Sequence, residues 1–272
     1  RRGPRIAATN SAVLVAAVAG GQGGGADGDV LLFRSTDRGR TWARSVAIND
    51  VPGSAREGLH AMAASPSGLV IVSWLDLREK GTRIYAAVSR DHGATWTPDT
   101  LVYASPSGAV CECCHPSVAI GPGGRVAIMF RNTLDGHRDM YVAESKDGVT
   151  FSSARKLGTG SWTLNACPMD GGALAFNADG VVSTWRREGD VFLGTERVQE
   201  RRLGAGRDPV VAQFQNHQDV AWSAPDGVML ERGGGMPMTL GPGRFPSIVA
   251  LGDRTVVAWE HDGRVAVSAV PR

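Results

Sequence analysis

One pattern recurs along the 272 residues and limits the fold more than any other feature. An apolar strand opens near a proline, a glycine-containing turn follows, and a β-branched strand closes on Trp or Phe. It begins at Pro4-Arg-Ile-Ala-Ala, then runs through Leu59-His-Ala-Met-Ala with Val70-Ile-Val-Ser-Trp74, and His115-Pro-Ser-Val-Ala-Ile with Val126-Ala-Ile-Met-Phe130. It continues as Cys167-Pro-Met with Val181-Val-Ser-Thr-Trp185, Asp208-Pro-Val-Val-Ala with Val220-Ala-Trp222, and Phe245-Pro-Ser-Ile-Val with Val256-Val-Ala-Trp259. A repeat of roughly 40 to 55 residues suits one four-stranded antiparallel unit. Gly 36 and Pro 14 punctuate short apolar runs throughout, and no amphipathic helical run of useful length interrupts them.

A second signature overlies the first three repeats. Ser35-Thr-Asp37-Arg-Gly39-Arg-Thr41-Trp42 and Ser89-Arg-Asp91-His-Gly93-Ala-Thr95-Trp96 share the form S-x-D-x-G-x-T-W, and Ser145-Lys-Asp147-Gly148-Val-Thr150-Phe151 is a shortened copy. The motif resembles the Asp-box, or BNR repeat, of sialidase-like six-bladed β-propellers. That resemblance implies an all-β chain, one six-bladed β-propeller over residues 1–272, with the last blade one strand short. The box itself is read as a hairpin turn: Asp bonds turn amides, Gly takes positive φ, and Trp packs between blades.

With strands A to D counted outward in each blade, A-strand starts and B–C loops share the pocket face. His92 and His217 fall on the opposite face, and His60, His115, His137 and His261 on the pocket side. Cys114-His115, Cys167, Arg207-Asp208 and Arg244 take equivalent entrance positions. B–C loops add Asp76, Arg78, Arg131, Asn132, His137, Asp139, Arg186, Arg187, Glu188 and Glu260. The arginines either hold an anionic substrate in bidentate pairs or neutralise the acids beside them.

All four cysteines lie in two stretches, Cys111-Glu-Cys113-Cys114-His115-Pro116 and Asn165-Ala166-Cys167-Pro168-Met169-Asp170. Neighbouring repeats bring them side by side. Thiols, imidazole and thioether are soft donors that select copper(I) or zinc over calcium or magnesium. The expected metal set is therefore Cys111, Cys113, Cys114, His115, Cys167 and Met169, with copper ahead of zinc because Met is a poor zinc ligand. His60, Arg131, His137, Asp139, Trp162 and Asn165 are the pocket candidates around it. C-x-C-C-H matches no common zinc-finger spacing. A purely structural cysteine cluster, including a disulfide staple, fits the same residues.

Two functions thus stand beside each other. The first is a copper-binding propeller, redox-active on a small molecule. The alternative is a glycan-active or glycan-binding propeller, in which the cysteines are structural. Sialidase chemistry itself, which by resemblance needs an arginine triad, a Tyr nucleophile with its Glu, and an Asp, is not expected: Tyr85, Tyr103 and Tyr141 sit in outer-strand positions. Lys+Arg 29 against Asp+Glu 27 are well mixed, which argues against nucleic acid as a partner. No stretch is long and apolar enough for a membrane span. An exported bacterial protein, secreted or periplasmic, is expected.

Overall fold

The computed structural model describes residues 3–21, 25–214 and 217–271, with the side chain of Glu57 left aside. The chain is all-β, and its one helical element among the described residues is a 3-10 turn at Pro122–Gly124. No helix among them is long and apolar enough to cross a membrane. The chain divides into two compact units, Arg1–Lys156 with Thr163–Met169, and Leu157–Trp162 with Asp170–Arg272.

The first unit holds three antiparallel meanders. Strands β1 (Arg5–Ala8), β2 (Val13–Gly20), β3 (Gly28–Ser35) and β4 (Val46–Ala47) form the first. β5 (Ala55–Ala64), β6 (Val70–Asp76), β7 (Arg83–Ser89) and β8 (Thr100–Tyr103) form the second, and one bridge, Gly28 to Ala55, joins the two into a single sheet. β9 (Ser117–Ile120), β10 (Val126–Arg131), β11 (Met140–Ser145) and β12 (Arg155–Lys156) form the third.

The inner strands are buried on both faces, which explains why they read as continuous apolar runs. Every residue of β6 and of β10 is buried. Because side chains alternate along a strand, Val70, Val72 and Trp74 of β6 enter one core with Leu14, Val30 and Leu32. Ile71 and Leu75 enter another with Val126, Ile128 and Phe130. Each such aliphatic side chain contributes about 1.5–3 kcal/mol on full burial. The meanders of this unit are held together mainly by these shared cores.

The second unit repeats the plan. It contains β13 (Ala173–Phe176), β14 (Val181–Arg187), β15 (Asp190–Gly194) and β16 (Arg201–Ala205), followed by β17 (Arg207–Phe214), β18 (His217–Ala224), β19 (Gly227–Arg232) and β20 (Met238–Gly241). A three-stranded sheet of β21 (Arg244–Leu251), β22 (Arg254–His261) and β23 (Arg264–Pro271) ends it, one strand short as the sequence predicts. β18 again sends Val220 and Trp222 to one core and Ala221 to the next.

The Asp-boxes close the outer hairpins of the three meanders in the first unit. Thr41 donates from its amide to Asp37 Oδ1 at 2.9 Å and from its hydroxyl to Oδ2 at 2.6 Å, and Thr95 does the same to Asp91 at 2.9 and 2.6 Å. In the short third copy the Thr150 amide donates to Asp147 at 2.7 Å. Gly93 has φ +81, and a Cβ there would sit 3.0 Å from Leu14 Cδ2, so the turn presses on the neighbouring core. Trp96 packs against that core as expected, whereas Trp42 stays 42% exposed and does not.

Candidate functional site

Each unit carries one constellation of chemical interest. In the second unit a cavity of about 540 Å3 is lined by Arg186, Arg207, Asp208, Arg244 and Phe245, with small residues filling the gaps. Two of these arginines are placed by the same local device. The sequences Gly206-Arg207-Asp208-Pro209 and Gly243-Arg244-Phe245-Pro246 open β17 and β21. Each glycine lies at positive φ over a tryptophan. A Cβ on Gly206 would meet Ser223 O at 2.4 Å and Trp222 Cδ1 at 2.5 Å, and one on Gly243 would meet Glu260 O at 2.4 Å and Trp259 Cδ1 at 2.5 Å.

After each arginine the chain takes a left-handed residue, Asp208 at φ 53 and Phe245 at φ 56, and the strand register slips. Such bulges re-aim side chains at the rims of β-sheets. Both are pinned: the Asp208 amide donates to Asp170 Oδ2 at 3.0 Å and the Phe245 amide to Ser223 Oγ at 2.9 Å. The result is an arginine held at each strand entrance.

The arginines are also partly neutralised, as one of the two sequence readings expects. Arg244 Nε donates to Glu260 Oε2 at 2.7 Å, and Arg207 Nε lies 3.3 Å from Asp208 Oδ2. Arg186 Nε donates to the Glu188 carbonyl at 2.6 Å. The Arg244 hydrogen bond lowers the Glu260 pKa, so that carboxylate is ionised at neutral pH. Arg207 and Arg244 commit only Nε to these acids and remain 50% and 65% exposed, so their terminal nitrogens stay open to an anion. The Arg244 guanidinium also lies 5.1 Å from the centre of the Phe245 ring.

In the first unit three thiols converge. Cys111 Sγ lies 3.7 Å from Cys113 Sγ and 3.5 Å from Cys114 Sγ, and the last two are 4.0 Å apart. All four cysteines are free, Cys111 and Cys114 buried, Cys113 half-buried and Cys167 exposed. Arg138 reaches across from the loop after β10, with Nη1 3.3 Å from Cys111 Sγ and Nε donating to the Leu164 carbonyl at 3.3 Å. Hydrogen bonding with the Cys113 and Cys114 thiols is the main cause that lowers Cys111, and Arg138 adds to it. Cys113 is raised by the same shared bonds, and Cys114 is raised first by its hydrogen bond with Cys111 and then by burial.

The two cysteine stretches do meet. His137 pairs with Thr163 across an isolated bridge, its Nδ1 lies 3.1 Å from Thr163 Oγ1, and the Leu164 amide donates to the Gly136 carbonyl at 3.4 Å. Cys167 lies close enough to Cys113 to contribute, as the smallest of several causes, to its raised pKa. His115 Nδ1 lies 2.9 Å from the Pro116 carbonyl, outside the compact sulfur group. Met169 is 48% exposed at φ 55.

Of the remaining candidates Arg131 acts electrostatically on Cys114, and the others are dispersed. His60 is fully buried, with Nε2 3.0 Å from the Ala16 carbonyl and Nδ1 3.2 Å from that of Gly58, and burial lowers its pKa. Arg131 is buried and donates to the Arg138 carbonyl at 2.6 Å. Asp139 pairs with Lys156 at 3.0 Å. Asn165 is exposed, while Trp162 is buried in the second unit, where Arg186 lies 5.3 Å from its ring centre. The sequence reading missed Arg138 and Phe245. The doubled G-R-x-P phrase was a signal for Phe245, whereas nothing local pointed to Arg138.

Residues 4–224 match the model of the BNR repeat-like domain, and the chain belongs to that family. No curated protein matches its sequence. Among solved structures it is similar to the Hadza microbial sialidase Hz136, with a TM-score of 0.61 and 14% identity over 99% of this chain. This chain spans only 65% of that protein's length. It is also similar to an alpha-L-arabinanase of Penicillium chrysogenum complexed with arabinobiose (TM-score 0.56, 14% identity, 100% of this chain and 77% of that one). A GH93 alpha-L-arabinofuranosidase of Fusarium graminearum is a third (TM-score 0.56, 11% identity, 99% and 76%). At these identities the likeness is one of fold.

Proposed function

We propose that the chain is a six-bladed β-propeller that acts on glycans, and that its arginine-lined cavity takes an acidic sugar. Six antiparallel meanders and family membership support the propeller. The similar solved structures are named as a sialidase and as arabinan-type enzymes, which favours glycans over copper as the main ligand class. The cavity carries the specific reading, because Arg186, Arg207 and Arg244 line it together. Terminal guanidinium nitrogens match a sugar carboxylate in paired hydrogen bonds. Phe245, 39% exposed, offers an apolar wall for the sugar ring, the usual complement to a few fixed polar groups.

The lining supplies recognition more than bond cleavage. Among the described residues Asp208 is its one carboxylate, against the two that glycoside hydrolysis commonly uses. None of the three tyrosines lines it. Export from a bacterial cytosol belongs to the same reading, since polymers of this kind are met outside it. The thiol cluster has no part in it.

Isothermal titration with oligogalacturonate and sialyllactose, beside neutral arabino-oligosaccharides, tests the proposal. An acidic ligand should bind, and Arg244→Ala and Arg207→Ala should each weaken it at least about tenfold, or about 1.4 kcal/mol. Neutral oligosaccharides binding as tightly, with no loss in Arg244→Ala, would overturn it.

A further inference from the structure

We propose that Cys111, Cys113 and Cys114 hold one copper(I) ion as a three-thiolate site that is independent of the glycan cavity. Their sulfurs lie within 4.8 Å of one another and form a near-equilateral triangle with edges of 3.5, 3.7 and 4.0 Å. An ion about 2.3 Å from each sulfur in a tetrahedral face sets them about 3.8 Å apart. The triangle already has the dimensions of a coordination face. No S–S bond of about 2.05 Å competes for these sulfurs.

Donor type and charge select the metal. The compact group contains sulfur alone; no imidazole or carboxylate joins it among the described residues. Thiolates without nitrogen or oxygen partners suit soft ions, copper(I) and zinc alike, and charge separates the two. Three thiolates and one copper(I) carry two negative charges, which in a buried site need compensation. Two guanidiniums supply it: Arg138 lies 3.3 Å from Cys111 Sγ, and the buried Arg131 acts electrostatically on Cys114. Zinc(II) in the same triangle would carry one negative charge and leave one of the two arginine charges uncompensated.

Copper(I) enters as a ready-made monovalent ion: each Cu–S bond that forms on a protonated thiol releases one proton, a bond to a thiolate releases none, and no electron is transferred. Cys113 is half-buried and Cys167 is exposed beside it, so Cys167 is the first sulfur an incoming ion meets. An all-thiolate set without imidazole or carboxylate suits holding and passing on copper(I) rather than oxidising a substrate. This replaces the six-ligand set expected from sequence with three sulfurs and one entry thiol.

The test uses the full chain, reduced and anaerobic, offered copper(I) as its acetonitrile complex against the chromogenic chelator bicinchoninate. One equivalent should be withheld from the chelator, and X-ray absorption on the loaded wild-type protein should show three sulfurs and no nitrogen. Cys113→Ser, the least buried of the three changes, should lose retention while keeping its thermal transition. Cys167→Ser should keep the equivalent but load more slowly. Complete transfer of copper to the chelator, a shell with nitrogen or a fourth sulfur, or stronger retention of zinc than of copper(I) would each overturn the proposal. Glycan titration of Cys113→Ser separates the two functions: unchanged binding is expected, and its loss would overturn the independence of the site.

Discussion

Several single residues act through what has no room to move. Gly243 is one. A Cβ there points at the Glu260 carbonyl and the Trp259 ring, and its backbone φ of +130 disfavours any side chain. Gly243→Ala should cost about 1–3 kcal/mol, the scale of overpacking, as a lower urea midpoint with an unchanged slope. Asp99 is another, in a buried network where its carboxylate and that of Asp50 each accept the other's backbone amide at 3.0 Å. Burial first, then the Asp50 carboxyl, raises Asp99 to about 6 despite its ion pair with Arg78. Between about pH 4 and 6 the folded protein then binds more protons here than the unfolded chain. Asp99 should therefore lower stability as pH rises through that window, and Asp99→Asn should flatten that part of the urea-stability profile.

The Asp-boxes oppose this trend. Hydrogen bonds from Thr41 hold Asp37 down to about 2, and those from Thr95 and from the Thr150 and Val149 amides depress Asp91 and Asp147. Their contribution is present in full above the unfolded carboxylate pKa of about 3.9 and is lost as pH falls through the lower folded values. Thr41→Val should raise the Asp37 midpoint in a carboxyl NMR titration. These turns were legible in the sequence because every atom of the motif lies within eight residues. Strands were legible for a similar reason, since β6 and β10 are apolar on both faces and announce themselves as runs. The G-R-x-P entrances were less so. Their glycines matter through Trp222 and Ser223, and through Trp259 and Glu260, which arrive from the next strand.

For the molecule as a whole, repeats gave the number of meanders, the short last one, and the meeting of the two cysteine stretches. They did not point to the arginine beside the sulfurs. Arg138 stands 27 residues from Cys111, in a loop whose His and Asp looked more informative, and only the folded backbone shows which side chain reaches the sulfur. His115 is adjacent in sequence to Cys114, yet its Nδ1 faces the next residue's carbonyl. Adjacency along the chain does not fix side-chain direction. The same holds for His60, whose place at a strand entrance is spent inside the core.

The chain leaves its first unit at residue 156, serves the second over 157–162, returns for 163–169, and departs again. The returning stretch is tied back by the bonds from Thr163 and Leu164 to His137, Gly136 and Arg138. It is a strap, and it carries Cys167. A ribosome cannot finish the first unit until the strap has emerged, so the thiols of the earlier stretch wait on a later one. A nick within 157–162 would sever the backbone without parting the pieces, because the downstream fragment keeps hold of the upstream one.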